Sequence, residues 1–515
     1  MTRFIDSPLI EMDLSTWSLE EKLGQLFLVY FEGPLLSPAL EEMIREYHVG
    51  GLIFYSVAGN IQTLSQVAQL TASAQAQSRI PLWMGIDQEG GPVVRLTEGV
   101  TVFPSARAVA AAGSLEDAEA MAQVVGIELK SLGFNLNFAP VVDVNSNPHN
   151  PIIGIRAFGP DPQQVADYGL AMLRGYRQAG ILCTPKHFPG HGDTHIDSHL
   201  GLPRVDRPLV ELRATELYPF QALIRAGAEA IMTAHVVMPA LGSDRPATLA
   251  PEILSGELRQ RLGFTGVIFT DSMTMGAIAQ TYGIPEAAEL AFKAGADILL
   301  FGADRGFTPV AQKEAYAHLL QGFRSGRLSV QQLEESVQRI LNLKQRYRLG
   351  SPPELERAET AKPATSPSHQ ALAQRIALAS ITLLKGSLPP LAPDLLLITP
   401  VPLLGELLQH ALPSAQVFRI TLDPNPEDWP ILLERVKRAE QVVVGSLDLF
   451  RHPAQRELLA KLVSALSPEK VIGLALGSPE DPSALPQIPV YLACYGTTPV
   501  SLQALVEVLL GRISA

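Results

Sequence analysis

Gly180-Ile181-Leu182-Cys183-Thr184-Pro185 is a short apolar run that passes directly into Lys186-His187-Phe188-Pro189-Gly190-His191-Gly192-Asp193-Thr194-His195-Ile196-Asp197-Ser198-His199. The first part is entered from a helical pattern through a glycine and reads as a buried strand. The second part packs four histidines, two aspartates and a lysine into fourteen residues. The histidines recur every fourth position, which on a helix would set them on one face, but Pro189, Gly190 and Gly192 forbid a helix. The segment is a shaped loop hanging from the C-terminal end of a strand. In parallel α/β folds that end is where catalytic groups gather.

Working outward, Leu26 to Phe31, Gly51 to Tyr55, Leu82 to Ile86, Phe134 to Phe138, Ile181 to Pro185, Ala230 to Ala234, Gly266 to Thr270 and Ile298 to Phe301 each read as a strand. Helical patterns such as Leu115 to Leu132, Gln163 to Gln178 and Leu209 to Ala226 fill the intervals. Eight strand-helix units predict a (β/α)8 TIM-type barrel over residues 1–350, although an incomplete or partly reversed barrel would give a similar pattern. The stretch 351–370 is rich in proline, serine, threonine and charge and reads as a linker. Beyond it, Leu395 to Ile398, Gln416 to Ile420, Gln441 to Val444, Val471 to Leu474 and Val490 to Ala493 predict strands, separated by helices such as Asp428 to Ala439 and Pro453 to Leu466. A smaller α/β domain with an open sheet is expected over 371–515. It carries no Gly-rich phosphate loop, so its expected role is structural or interfacial.

Composition bounds the function. At 515 residues the chain exceeds what one core usually serves, and 47% apolar with 18% charged residues marks a globular protein with a large interior. A formal net charge of −12 with no basic run argues against nucleic acid as partner. No apolar run approaches bilayer length and the N-terminus lacks a leader pattern, so no membrane association and a cytoplasmic location are expected. Cys183 and Cys494 lie far apart and suggest no disulfide framework.

Polar groups crowd the predicted strand ends. Asp87, Gln88 and Glu89 follow the third, with Arg95 soon after; Asp143 follows the fourth, and Arg156 lies on the turn-rich loop beyond it. His235 ends the sixth and Asp271 the seventh. Such a rim suits a polyhydroxylated ligand, whose hydroxyls need several oriented partners. Each residue also has a plainer reading. Asp271 equally reads as a helix cap, Asp87 with Arg95 as a structural ion pair and His235 as a satisfied core histidine; Glu89 reads as bonding locally within its glycine turn, and Met273 and Met275 as core filling. A metal-dependent hydrolase with His187, His191, His195 and Asp271 as ligands is a further alternative.

Taken together, the Lys186 to Thr194 run, Asp197-Ser198-His199, Gly85 to Gly91, Ile153 to Phe158, Met232 to His235 and Phe269-Thr270-Asp271 resemble the bacterial β-N-acetylhexosaminidases of glycoside hydrolase family 3, the NagZ-like branch, over roughly residues 15 to 345. The resemblance implies a retaining exo-β-N-acetylglucosaminidase acting on peptidoglycan fragments, with a barrel and, in some members, a second α/β domain. It implies Asp271 as nucleophile, His199 as general acid/base and Asp197 as its orienting partner. Asp87, Arg95, Arg156, Lys186 and His187 would hold the terminal N-acetylglucosamine, while His191, Asp193 and His195 would shape the loop. No metal or other cofactor is implied; the partner is a small glycan or muropeptide, and the oligomeric state is left open. Ser272 stands where many relatives place a second acid. The alternatives within the class are β-glucosidase or β-xylosidase activity, and phosphorolysis in place of hydrolysis.

Overall fold

The computed structural model describes residues 13–199, 201–304, 306, 308–349 and 364–513. All eight strands expected in the first domain are present, each shortened: β1 Phe27–Tyr30, β2 Gly51–Ile53, β3 Trp83–Ile86, β4 Leu136–Asn137, β5 Leu182–Cys183, β6 Ala230–Met232, β7 Val267–Phe269 and β8 Leu299–Leu300. Six run in the order β5-β4-β3-β2-β1-β8, and β6-β7 form a separate pair. Every pairing is parallel. Single parallel bridges, Phe188 to Thr233 and Phe269 to Ile298, join the pair to the curled sheet on its two sides. The strands are buried throughout, as parallel strands sheathed by helices must be. Aromatic residues fill the interior, with Phe138 and Phe269 edge-to-face at 5.8 Å and Phe27 stacked on Phe301 at 5.2 Å.

Local chemistry delivers β5 and its loop. The helix Pro162–Ala179 starts where Asp161 accepts from the Gln163 N–H and Pro162 supplies the preset φ of a first turn. It ends at Gly180, whose φ of 70° is open to glycine at little cost and turns the chain into the strand. The helical pattern expected from Leu209 to Ala226 is broken into Leu209–Ala214 and Leu217–Arg225. The backbone leaves helical angles at Thr215 (φ −116°, ψ −80°), where Glu216 is turned inward against Gly190.

The second domain holds β9 Thr382–Lys385, β10 Leu396–Thr399, β11 Gln416–Arg419, β12 Val442–Ser446, β13 Val471–Ala475 and β14 Val490–Ala493, in the order β11-β10-β12-β13-β14-β9. Five strands correspond to those expected. The sixth, β9, is an exposed antiparallel edge on β14, and its sequence Thr-Leu-Leu-Lys has no alternation to mark it. Of the stretch 351–370 expected as a linker, residues 351–363 lie outside the described part, and 367–370 are the first turn of the helix Pro367–Ser380.

That helix ties the domains together. Leu372, Ala373 and Ile376 belong to the barrel's hydrophobic cluster. His369 Nδ1 lies 2.8 Å from Glu128 Oε1, and Arg375 pairs with Asp117 at 2.6 Å. Elsewhere Ser105 Oγ donates to the Tyr495 carbonyl at 2.5 Å and the His149 ring packs against Phe450, centroids 4.0 Å apart and tilted by 37°. Cys183 and Cys494 are buried and unpaired. Among the described residues no helix is long and apolar enough to cross a membrane.

Candidate active site

Loops following β2, β3, β4, β5, β7 and β8 surround a cavity of about 400 Å³. Seven of the eight residues singled out from sequence line it: Asp87, Arg95, Arg156, Lys186, His187, His199 and Asp271. The eighth, Asp197, stands behind His199. Its Oδ1 accepts the His199 backbone N–H at 2.9 Å and lies 2.9 Å from the ring Nδ1.

One wall is a chain of alternating charges. Lys186 Nζ lies 2.8 Å from Asp87 Oδ1 and 2.6 Å from Glu89 Oε1. Arg156 grips Glu89 with two N–H donors, each at 2.9 Å, and Arg95 reaches Asp87 at 3.4 Å. The local turn bonding expected of Glu89 is therefore replaced by a buried ion pair across 67 residues of sequence. Burial pushes the Asp87 and Glu89 carboxyls up, but the facing cations outweigh it and hold both below the ordinary range. Burial opposes the charge of Lys186 and Arg156, and the carboxylates more than restore it. Removing one member of such a largely buried network leaves an uncompensated charge.

His187 is aimed by a residue the sequence placed only at a strand end. Asp143, wholly buried, lies 2.7 Å from His187 Nδ1 and accepts the backbone N–H groups of His187 and His191 at 3.2 and 2.7 Å. With Nδ1 turned to Asp143, Nε2 is the ring nitrogen left for a ligand. His191 spends both ring nitrogens inside the loop, on Thr194 Oγ1 at 2.8 Å and Ser198 Oγ at 3.0 Å, and burial lowers its pKa to about 4. It thereby pins the start of the loop to the residue before His199. Asn147 and Asn150 of the β4 loop accept it from below, donating to the Thr194 and His191 carbonyls at 2.9 and 2.8 Å. His195 is exposed beside Asn147. The alternative ligand set of His187, His191, His195 and Asp271 is not assembled, and among the described residues no cluster of His, Cys, Asp or Glu has metal-binding form.

Asp271 follows β7 and does not cap the next helix, Gly276–Tyr282, whose N-cap position is Met275. Its Oδ1 accepts the Ser272 N–H at 2.7 Å. Burial raises the Asp271 carboxyl, but the imidazoles of His187, His235 and His199 and the Ser272 amide bring it below the ordinary value of 3.8. His235 is a satisfied buried histidine, as its plainer reading had it, yet it serves the site: Nε2 lies 2.8 Å from the Ser272 carbonyl and Nδ1 2.9 Å from Thr248 Oγ1. The hydrogen bond to Asp197 raises the pKa of His199 above 6.5 against its partial burial. Asp304, after β8, and Tyr55, after β2, also line the cavity. Neither was singled out from sequence, although the strand-end rule that found Asp87 and Asp271 also covers both.

Residues 18–343 match the glycosyl hydrolase family 3 N-terminal domain. The chain is 39% identical over 379 residues to a protein named β-hexosaminidase A from Pseudoalteromonas piscicida, a match covering 69% of this chain and 62% of that protein. It is 33% identical over 396 residues to a β-N-acetylglucosaminidase/β-glucosidase from Cellulomonas fimi, covering 74% of this chain and 67% of that protein. The structure of a glycoside hydrolase family 3 β-N-acetylglucosaminidase from Paenibacillus sp. str. FPU-7 superposes with a TM-score of 0.91 at 36% identity, covering 97% of both chains.

Proposed function

The chain belongs to glycosyl hydrolase family 3, and on that premise we propose that it is a retaining exo-β-N-acetylglucosaminidase that removes terminal non-reducing β-linked N-acetylglucosamine. The observation that carries the reading is the pairing of a half-buried Asp271, its carboxyl held below the ordinary range, with a His199–Asp197 couple at one cavity. Retaining glycosidases need a nucleophile on one side of the anomeric carbon and a proton donor at the leaving oxygen. In the first step an Asp271 oxygen bonds to the anomeric carbon, the bond to the leaving oxygen breaks, and His199 gives that oxygen its proton. In the second, water attacks the same carbon, His199 takes the water's proton, and the bond to Asp271 breaks. Asp197 fixes the imidazole tautomer and steadies the imidazolium. A neutral imidazole adds no negative charge beside Asp271, so the nucleophile stays ionised.

The charge chain supports a sugar-binding wall. Asp87 and Lys186 offer an acceptor and a donor to adjacent hydroxyls, Arg95 and Arg156 hold the acids in place, and His187 Nε2 meets a third hydroxyl. The natural substrate we propose is an N-acetylglucosamine-bearing peptidoglycan fragment, met in the cytoplasm.

The relative named for both β-N-acetylglucosaminidase and β-glucosidase activity favours a second reading, in which glucosides are also cleaved. Matched aryl β-N-acetylglucosaminide and aryl β-glucoside substrates separate the two. We expect preference for the N-acetyl sugar, unchanged by chelator, and release of the β-anomer first by NMR. Preference for the glucoside, or initial α-anomer, overturns the reading. Adding inorganic phosphate to the same assay and seeking a glycosyl phosphate tests phosphorolysis.

A further inference from the structure

We propose that Asp304 is a positioning residue for Asp271, acting across the β7 and β8 loops through the hydroxyl of Ser272. The inference rests on the reading of Asp271 as nucleophile. Ser272 is the residue that holds Asp271: its N–H donates to Asp271 Oδ1 at 2.7 Å, which leaves Oδ2 as the carboxylate oxygen without that restraint. Ser272 is itself held from three sides. His235 Nε2 lies 2.8 Å from its carbonyl, the Gly302 N–H donates to its Oγ at 3.0 Å, and its hydroxyl donates to Asp304 Oδ2 at 2.5 Å.

Asp304 is the hub on the β8 side. The Thr274 hydroxyl also donates to its Oδ2 at 2.5 Å, and the Ser272 and Thr274 oxygens are 2.7 Å apart. One carboxylate oxygen thus gathers two hydroxyls from the turn after Asp271. Ser272 and Thr274 are 4% and 6% exposed, so these bonds have little competition from water. Gly302 leaves no room for a substitute arrangement, because a Cβ there would press on Ser272 Oγ at 2.6 Å and Tyr55 Oη at 3.0 Å. The carboxylate acts as an acceptor here; an amide oxygen has the lone pairs to do the same.

The test compares Asp304→Ala, Asp304→Asn, Ser272→Ala and the double variant Asp304→Ala with Ser272→Ala against the unmodified full chain, each first shown to fold by circular dichroism and thermal unfolding. Asp304→Ala is expected to lower kcat about 10- to 100-fold with KM little changed, the order expected when a reacting group is displaced by about 1 Å. Asp304→Asn should recover most of kcat, and Ser272→Ala should add little on top of Asp304→Ala, since both cut one link. An unchanged kcat in Asp304→Ala, an Asp304→Asn as weak as Asp304→Ala, or a change in KM alone overturns the proposal.

A second readout separates this idea from its premise. The rate of covalent labelling by 5-fluoro-N-acetylglucosaminyl fluoride is followed by intact-protein mass spectrometry. No adduct on Asp271 of the unmodified chain removes the nucleophile reading itself. An adduct that forms in Asp304→Ala as fast as in the unmodified chain removes only the role of Asp304.

Discussion

His199 sits half in solvent, its side chain 50% exposed, and its chemistry is set by one neighbour at 2.9 Å. The Asp197 hydrogen bond raises its pKa above 6.5, so the proton that the proposed acid gives to the leaving oxygen is present below that raised value and is lost as pH rises through it. Asp271 has the opposite shift, below 3.8, so its ionised form persists to lower pH than an ordinary carboxylate. The kcat/KM profile should therefore be a broad bell, and Asp197→Ala should move its alkaline limb to lower pH while leaving the acid limb in place. A limb that stays put in Asp197→Ala would separate His199 from that ionisation. The same proton transfer predicts that His199→Ala loses less on aryl glycosides with acidic leaving groups than on alkyl glycosides, by at least about tenfold. Equal losses on the two classes would show that His199 is not the acid.

At the scale of the element, the histidine loop is a folded unit held by groups far from it in sequence. A Cβ at Gly192 would run into the Val144 carbonyl, and one at Gly190 would press on Glu216 at 2.7 Å. Arg207 bridges the loop to its support, 2.7 Å from Asp193 and 3.3 Å from Glu216. Glu216 is fully buried, and burial raises its pKa from 4.5 to about 7 despite Arg207, with Asp193 and Glu211 adding to the rise. The sign follows from linkage. Below pH 4.5 the group is neutral folded and unfolded; between 4.5 and about 7 the unfolded chain gives up its proton first, and stability falls. Glu216→Gln should therefore stabilise the protein above pH 7, by on the order of 3 kcal/mol, and change it little below pH 4.5. Thermal unfolding at the two pH values measures this, and an equal shift at both would exclude ionisation as the cause.

Over the whole molecule, two domains share structure beyond their covalent link. Ile376 lies in the helix that opens the second domain yet is fully buried in the barrel's cluster. Ile376→Ala should cost about 2–5 kcal/mol, as large-to-small changes in packed cores do. Calorimetry should then show one transition moved to lower temperature if the domains unfold together. Separate transitions, with only one of them moved, would show that they unfold apart. His149, Phe450 and Arg156 line one cleft between the domains, and Arg156 also lines the candidate active-site cavity, so the second domain reaches the far side of the proposed sugar-binding wall.

Much of this was legible in the chain because its signals are local. Eight short apolar or β-branched runs set between helical periods fit a parallel sheet, because strands buried on both faces carry apolar residues on both. Polar residues after those runs mark the rim, so Asp87, Lys186 and Asp271 stand out as candidates from order, while their roles and the choice of His199 come from the resemblance to family 3. Proline and glycine at 189, 190 and 192 ruled out a helix before any coordinate was known. What the tertiary structure decided are the pairings between loops. Glu89 with Arg156, Asp143 with His187, and Asp304 with Ser272 are separated by 67, 44 and 32 residues. No local pattern encodes which acid meets which base, because that choice is made when the strands close on one another and burial leaves each charge or hydroxyl only the partner facing it.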